Sequence, residues 1–239
     1  MKNFLPCLIC VLLLIGCLPD QQSKQLVAEA KIVQGNIADK TFFIPEGYFQ
    51  IKAAPFGENS IYLQTMYPDF LPLEKESLEY WREGVWWKNV SILGQYHPNS
   101  TLTNNDFAKK QIEFLKAFEI VGEEYGLLHQ KQPKEYIQDK KDVWLDKSNG
   151  VVSSTIMCSE SLIENDFPQC SQNYYLFPKF RLRISFDKRL LKNWEEIDQL
   201  VRDLFDSFET PEKAKSFLEN RILLAKSELE NESKNNVEH

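Results

Sequence analysis

The clearest periodicity in the chain lies at KFRLRISFD. Phe180, Leu182, Ile184 and Phe186 alternate with Arg181, Arg183, Ser185 and Asp187. A period of two puts the apolar set on one face of a strand and the polar set on the other. The period then changes at once. Leu190, Trp194, Ile197, Val201, Leu204, Phe205 and Phe208 fall on one stripe of a helix. Asn193, with Glu196 three residues on, has the form of a capping box at its start. Thr210-Pro211 then offers an N-cap and a first-turn proline to a second amphipathic helix carrying Ala214, Phe217, Leu218 and Ile222. The closing ELENESKNNVEH is charged and poor in apolar residues, so 229–239 is expected to fray.

Upstream the pattern is mostly that of strands. A short first strand is placed around Lys31–Asn36. TFFIPEGYFQIK and SIYLQTMYPDF are rich in β-formers, and AAPFGENS between them carries Pro55, Gly57 and Asn59. This predicts a hairpin from Phe42 to Met66, with Pro45 confining its first strand to a late start or an edge. Pro68 and Pro72 break the next stretch. EGVWWKNVSILGQY predicts a strand over Val85–Leu93. Phe107, Phe114, Leu115, Phe118 and Val121 recur at helical spacing, with Asn105 as a cap, although IEFLKAFEIV also fits a strand. Asn149-Gly150, between two β-prone runs, predicts a hairpin. The fold class is α+β: an antiparallel sheet built from hairpins, amphipathic helices packed on one face, and helices at the C-terminus. Residues 39–228 are assigned to a single domain.

The N-terminus follows a different pattern. Phe4 to Leu18 is an apolar run of fifteen residues containing Pro6 and Gly16. A membrane-spanning helix needs about 20, and no basic cluster follows the run to stop transfer. Lys2, the short apolar run and the small residue before its end fit a signal peptide over 1–16. A transmembrane anchor, a cleaved signal and a lipid attachment site are the three alternatives. Residues 17–38 are polar after Leu18 and are assigned to a tether.

Charge narrows the possible partners. The chain has 28 basic and 35 acidic residues; without Lys2, lost with 1–16, 27 basic residues remain and the net charge is −8. That balance argues against nucleic acid and against attraction to anionic headgroups. Of five cysteines, Cys7 and Cys10 lie in the apolar run, Cys17 ends it, and Cys158 and Cys170 remain in the body. In an exported protein the last two most simply form one disulfide. Metal binding is the rival, weakened by the lack of a nearby His or third Cys.

Catalytic patterns are absent. The chain has no HExxH, GxSxG, P-loop or GxGxxG motif, and its histidines are His97, His129 and His239. His97 or His129 could act as a base beside a distant group, but a solvated or hydrogen-bonded histidine is the plainer account. Glu195 and Glu196 open a helix, where acids suit the dipole. No catalytic residue, metal or cofactor is assigned, and the chain is expected not to be an enzyme. The most unusual composition in the body is YWREGVWW. Trp81, Arg82, Trp86 and Trp87, with Tyr67 of YPDF, are candidate partner-binding residues, since exposed Trp and Tyr beside Arg are favoured at interfaces. On a strand Trp86 and Trp87 would point to opposite faces, leaving one partly exposed.

Leu14-Ile15-Gly16-Cys17 resembles the lipobox of bacterial lipoproteins. The resemblance implies a diacylglycerol on the Cys17 thiol, cleavage before it and acylation of the new amine. Several acyl chains, at about 0.8 kcal/mol per buried methylene, anchor stably. The bilayer is thus an implied partner through Cys17, and Leu18 at the next position implies the outer membrane. The body resembles immunity-type periplasmic lipoproteins of proteobacterial type VI secretion. The likeness lies in IPEGYF, MYPDFLPL, the MCS…FPQC pair and LLKNWEEIDQLVRDLFDSF. It implies a periplasm-facing protein-binding module, an immunity protein against a secreted toxin. The alternative is a structural or assembly lipoprotein that binds a resident envelope complex or peptidoglycan.

Overall fold

The computed structural model describes residues 30–49, 54–72, 86–102, 106, 109–110, 113, 115–133, 141–146, 154–159 and 169–235. Eleven strands occur among them: β1 (Ile32–Ile37), β2 (Lys40–Pro45), β3 (Ser60–Met66), β4 (Leu71–Pro72), β5 (Asn89–Tyr96), β6 (Glu119–Glu124), β7 (Leu127–Lys131), β8 (Lys141–Asp146), β9 (Ser154–Ser159), β10 (Gln169–Phe177) and β11 (Phe180–Asp187). Two C-terminal helices follow, α1 (Trp194–Ser207) and α2 (Pro211–Asn235). β1 and β2 pair alone, and the other nine strands form one antiparallel sheet in the order β4-β3-β5-β11-β10-β9-β8-β7-β6.

β11 behaves as its alternation demands. Phe180, Leu182, Ile184 and Phe186 are fully buried. They share a face with Ile92 and Val90 of β5, with Cys170, Gln172 and Tyr174 of β10, and, through β9, with Trp144 of β8. α1 lies over this face through Ile197, Val201, Leu204 and Phe205, and the β1-β2 hairpin adds Ile37, Phe42 and Ile44. Phe42 stacks on Phe180 and Phe177 and meets Phe205 edge-on. The described residues of the 106–115 stretch are helical. Leu115 and the following Phe118 pack on Val143 and Leu145 of β8, which alternate with Trp144 and therefore occupy the opposite face. Helical structure thus covers both faces of the sheet, not one.

Several elements differ from the sequence reading. The Phe42–Met66 hairpin is not formed. β2 turns back on β1 across Ala38-Asp39, and among the described residues the segment after it meets β3 through two isolated bridges, Phe49↔Leu63 and Phe56↔Ile61. The two-residue turn closes locally, and Pro45 ends β2 by removing a ladder donor. Phe118 and Val121 do not continue a helix: β6 begins at Glu119 and Val121 is exposed. Trp86 and Trp87 sit in a 3-10 turn, Trp86–Lys88, and the strand expected over Val85–Leu93 begins at Asn89. The opposite-face argument therefore does not apply to the two tryptophans. Asn193 makes no side-chain cap. Asp187 instead caps the preceding 3-10 turn, accepting from the Arg189 backbone N–H at 2.9 Å. Thr210 does cap α2, accepting from the Lys213 N–H at 3.2 Å. α2 runs to Asn235, through most of the segment expected to fray.

β8 and β9 pair from Lys141↔Ser159 to Asp146↔Ser154, while the Asn149-Gly150 turn lies outside the described residues. Cys158 and Cys170 are directly opposite on β9 and β10 and their sulfurs are bonded. No helix among the described residues is long and apolar enough to cross a membrane.

Candidate functional site

Polar chemistry concentrates where the β6–β8 end of the sheet meets the start of α1. The sequence places Asp142, Trp144 and Asp146 at alternate positions of β8, so all three share the helix-side face. Register then sets His129 of β7 directly opposite Trp144. The two rings stack at 4.4 Å with 6° between planes. Trp144 Nε1 donates to Glu124 Oε2 at 3.2 Å. Lys188, from the turn after β11, donates to Asp142 Oδ2 at 3.1 Å and stands 5.2 Å from the Trp144 ring. His129 lies between carboxylates, with Nε2 3.7 Å from Asp142 and Nδ1 3.9 Å from Glu124. Both separations exceed a hydrogen bond, and the buried Nε2 makes none.

The β6–β7 turn is tied to the helix by Trp194, whose Nε1 donates to the Tyr125 carbonyl at 3.0 Å. Beside that tie opens a cleft of about 570 Å³ lined by Asp146, Ser154, Trp194, Glu195, Glu196, Asp198, Gln199 and Arg202. Its floor is rigid. Gln172 is fully buried and donates to both Ser154 Oγ and Asp198 Oδ1 at 2.9 Å. Asp198 Oδ2 accepts from Arg202 Nε at 2.8 Å, and the Arg202 guanidinium lies 4.4 Å over the Tyr174 ring. Burial pushes the Tyr174 hydroxyl well above its usual range, and Asp198 adds to the effect. Burial of Arg202 works to lower its pKa, but Tyr174, Asp198 and Asp206 outweigh it and hold the value above the ordinary one.

Four carboxylates against one guanidinium already bonded to Asp198 leave the cleft negative. Fixed negative charge of this kind attracts a cation and steers a basic partner. The Ser154 hydroxyl oxygen accepts from Gln172 Nε2 at 2.9 Å. No cluster of three or more His, Cys, Asp or Glu able to hold a metal occurs among the described residues.

The candidate residues read from sequence fall elsewhere. Cys17, Trp81 and Arg82 lie outside the described residues. Trp86 is in the 3-10 turn. Trp87 is half-buried against the main core, 5.9 Å from Lys88 Nζ and 5.0 Å from the Arg189 guanidinium. Tyr67, also packed on the core, precedes a cis peptide bond to Pro68 and donates to Glu196 at the cleft rim at 2.5 Å. His97 is joined through its backbone to Lys179 and does not meet His129's cluster. Sequence reasoning missed Asp142, Trp144, Asp146 and Lys188. The acid–aromatic–acid alternation of DVWLD was the available signal.

No protein-family model matches the chain, and no curated protein matches it in sequence. Its structure is similar to that of Smlt3025, an immunity protein of the Stenotrophomonas maltophilia type IV secretion system. The TM-score is 0.59 at 16% identity, over 76% of this chain and 94% of that one. It also matches the Neisseria meningitidis iron-regulated outer membrane lipoprotein FrpD, with TM-score 0.46 at 13% identity over 74% of this chain and 92% of that one. The chain therefore shares its fold with a secretion-system immunity protein.

Proposed function

We propose that this protein is an envelope lipoprotein, anchored through Cys17 and facing the periplasm from the outer membrane, that acts as an immunity protein. It works by binding a toxin, not by catalysis. The observation that carries this reading is the fold shared along 94% of an immunity protein of a secretion system. The acidic cleft between β8 and α1 adds the chemistry of a basic partner. The lipobox at Leu14–Cys17 supplies an anchor that the net negative charge could not.

A survival assay tests the role. Prey cells lacking the gene are mixed with parental attackers and with attackers lacking secretion. The deletion prey should be depleted only by secretion-competent attackers and rescued by the wild-type gene. Deletion prey that survive as well as the parent would end the immunity reading. The anchor is tested separately. Cys17→Ser should abolish incorporation of labelled fatty acid, and labelling that persists would exclude Cys17 as the acylated residue.

A further inference from the structure

We propose that β6 is an open docking edge that takes up an extended, basic segment of a partner protein as an added strand. The inference deepens the proposed function by assigning a surface and a chemistry to the partner. β6 ends the nine-strand order, so among the described residues no strand pairs with its outer side. Every residue of β6 except Gly122 is exposed, including Ile120 at 67% and Val121 at 54%. Two apolar side chains in so open a position on an edge strand form a template for another strand.

The edge has donors and acceptors to offer. Tyr125 and Gly126 both have positive φ, 53° and 74°, as a type I′ turn requires. In that hairpin Glu124↔Leu127 is the hydrogen-bonded pair next to the turn, so Glu123 presents its own N–H and C=O outward. Neither Pro nor Lys protects the strand. Within the strand, a bulge between Ile120 and Gly122 and three glutamates guard the edge.

Those glutamates select the occupant. A second copy pairing antiparallel about the strand centre would set Glu119 of one copy against Glu124 of the other, and a parallel copy would stack Glu on Glu. Like charges directly opposite each other destabilise a strand pair. A strand alternating apolar residues with Lys or Arg instead sets its charges along one face, against Glu119 and Glu124 or, turned over, against Glu123, and lays its apolar side chains along the other. The main chain supplies affinity and the side chains supply choice, as in other strand additions.

The test uses the full-length chain in detergent and three end-blocked heptapeptides. One alternates valine and lysine, one alternates valine and glutamate, and one is the lysine peptide N-methylated at alternate amides. At saturation the lysine peptide should slow amide exchange across 119–124 by roughly tenfold, and the other two should not. Glu123→Pro keeps the β6–β7 pairing, because the Glu123 N–H faces outward, and should abolish the protection. Glu123→Lys, which stands opposite the uncharged Leu128 of β7, should lower the protection given by the lysine peptide and raise that given by the glutamate peptide. Equal protection by all three peptides, or none by the lysine peptide, overturns the proposal. So does a chemically cross-linked dimer of the wild-type chain that Glu123→Pro removes, since that would assign the edge to a second copy. Survival of deletion prey would remove the immunity role without touching the peptide result, and a failed peptide result would remove the edge without touching prey survival.

Discussion

Gly94→Ala isolates the packing at the middle of the sheet, because two effects of opposite sign compete there. Gly94 lies on β5 opposite Ile61 of β3 and Leu182 of β11. Replacing a strand glycine with alanine narrows the unfolded ensemble and by itself stabilises by about 0.4–1 kcal/mol. The new Cβ, however, would stand 2.5 Å from Phe180 Cζ, 3.1 Å from Phe180 Cε1 and 3.4 Å from Leu182 Cδ2. Carbon atoms in contact sit about 3.5–4.0 Å apart, so the ring must retreat by about 1 Å or more. It has little room to do so. Phe180 is fully buried, stacked on Phe177 at 4.6 Å and backed by Phe42 at 5.9 Å and Phe205 at 6.0 Å. Overpacking of this kind costs about 1–3 kcal/mol, so packing wins and the net loss is roughly 1–2 kcal/mol. With a urea slope of about 3 kcal/mol/M the midpoint should fall by roughly 0.3–0.7 M. Equilibrium urea unfolding of the purified chain reads this directly. Adding Phe180→Leu should make the double variant more stable than the sum of the single losses by at least about 0.5 kcal/mol. A midpoint that rises in Gly94→Ala, or a double variant that is simply additive, would refute the account.

Three further outcomes are expected. Removing the Cys158–Cys170 bond, which closes a separation of 12 residues, should cost about 3 kcal/mol in the chain-entropy relation. The same loss should appear when reductant is added during urea unfolding, and no change on reduction would contradict it. Tyr48 is fully buried and donates to the Phe70 carbonyl at 2.8 Å, and burial holds its pKa far above 10 against the opposing charge of Arg221. Native protein therefore keeps this proton when the unfolded chain has lost it. Its contribution is full below about pH 10 and falls as pH rises beyond that. Tyr48→Phe should lose about 1 kcal/mol at pH 7 yet show a shallower stability decline above about pH 10 in the same pH series. An unchanged alkaline slope would exclude Tyr48 as its source. Arg221 of α2 donates to the carbonyls of Pro68 and Asp69. Arg221→Ala should cost about 1.5–3 kcal/mol in thermal or urea unfolding. Arg221→Lys should recover little of it, because an ammonium cannot reproduce the forked contact.

Local signals were legible where one face of one element decides the pattern. Phe180 through Phe186 alternate because β11 is buried on one face, and Leu190 through Phe208 form a stripe because α1 is buried on one side. What was not legible depends on distant partners. Nothing near Lys40–Pro45 tells the chain to pair backward with β1 instead of forward with β3. Val121 read as part of an apolar helical stripe, yet it is exposed beside Ile120 on an edge strand, so its hydrophobicity misled the period. The stacking of His129 on Trp144 is a product of register between β7 and β8, and Lys188 reaches the pair only because β11 ends nearby. The cleft is assembled from β8, β9 and α1. Trp87, singled out by its local composition, is half-buried against the core beside Arg189.

The place of β11 in the sheet also fixes an order in time. It is the last strand along the chain, yet it lies between β5 and β10. Until Phe180–Asp187 is available, β4-β3-β5 and β10 through β6 have no ladder joining them. A chain made from its N-terminus must therefore wait for residue 187 before the sheet can close, and the β5–β11 pairing spans a long stretch of sequence, which slows folding. The sheet thus stays open until most of the chain has been made. It then locks when one late strand enters the gap.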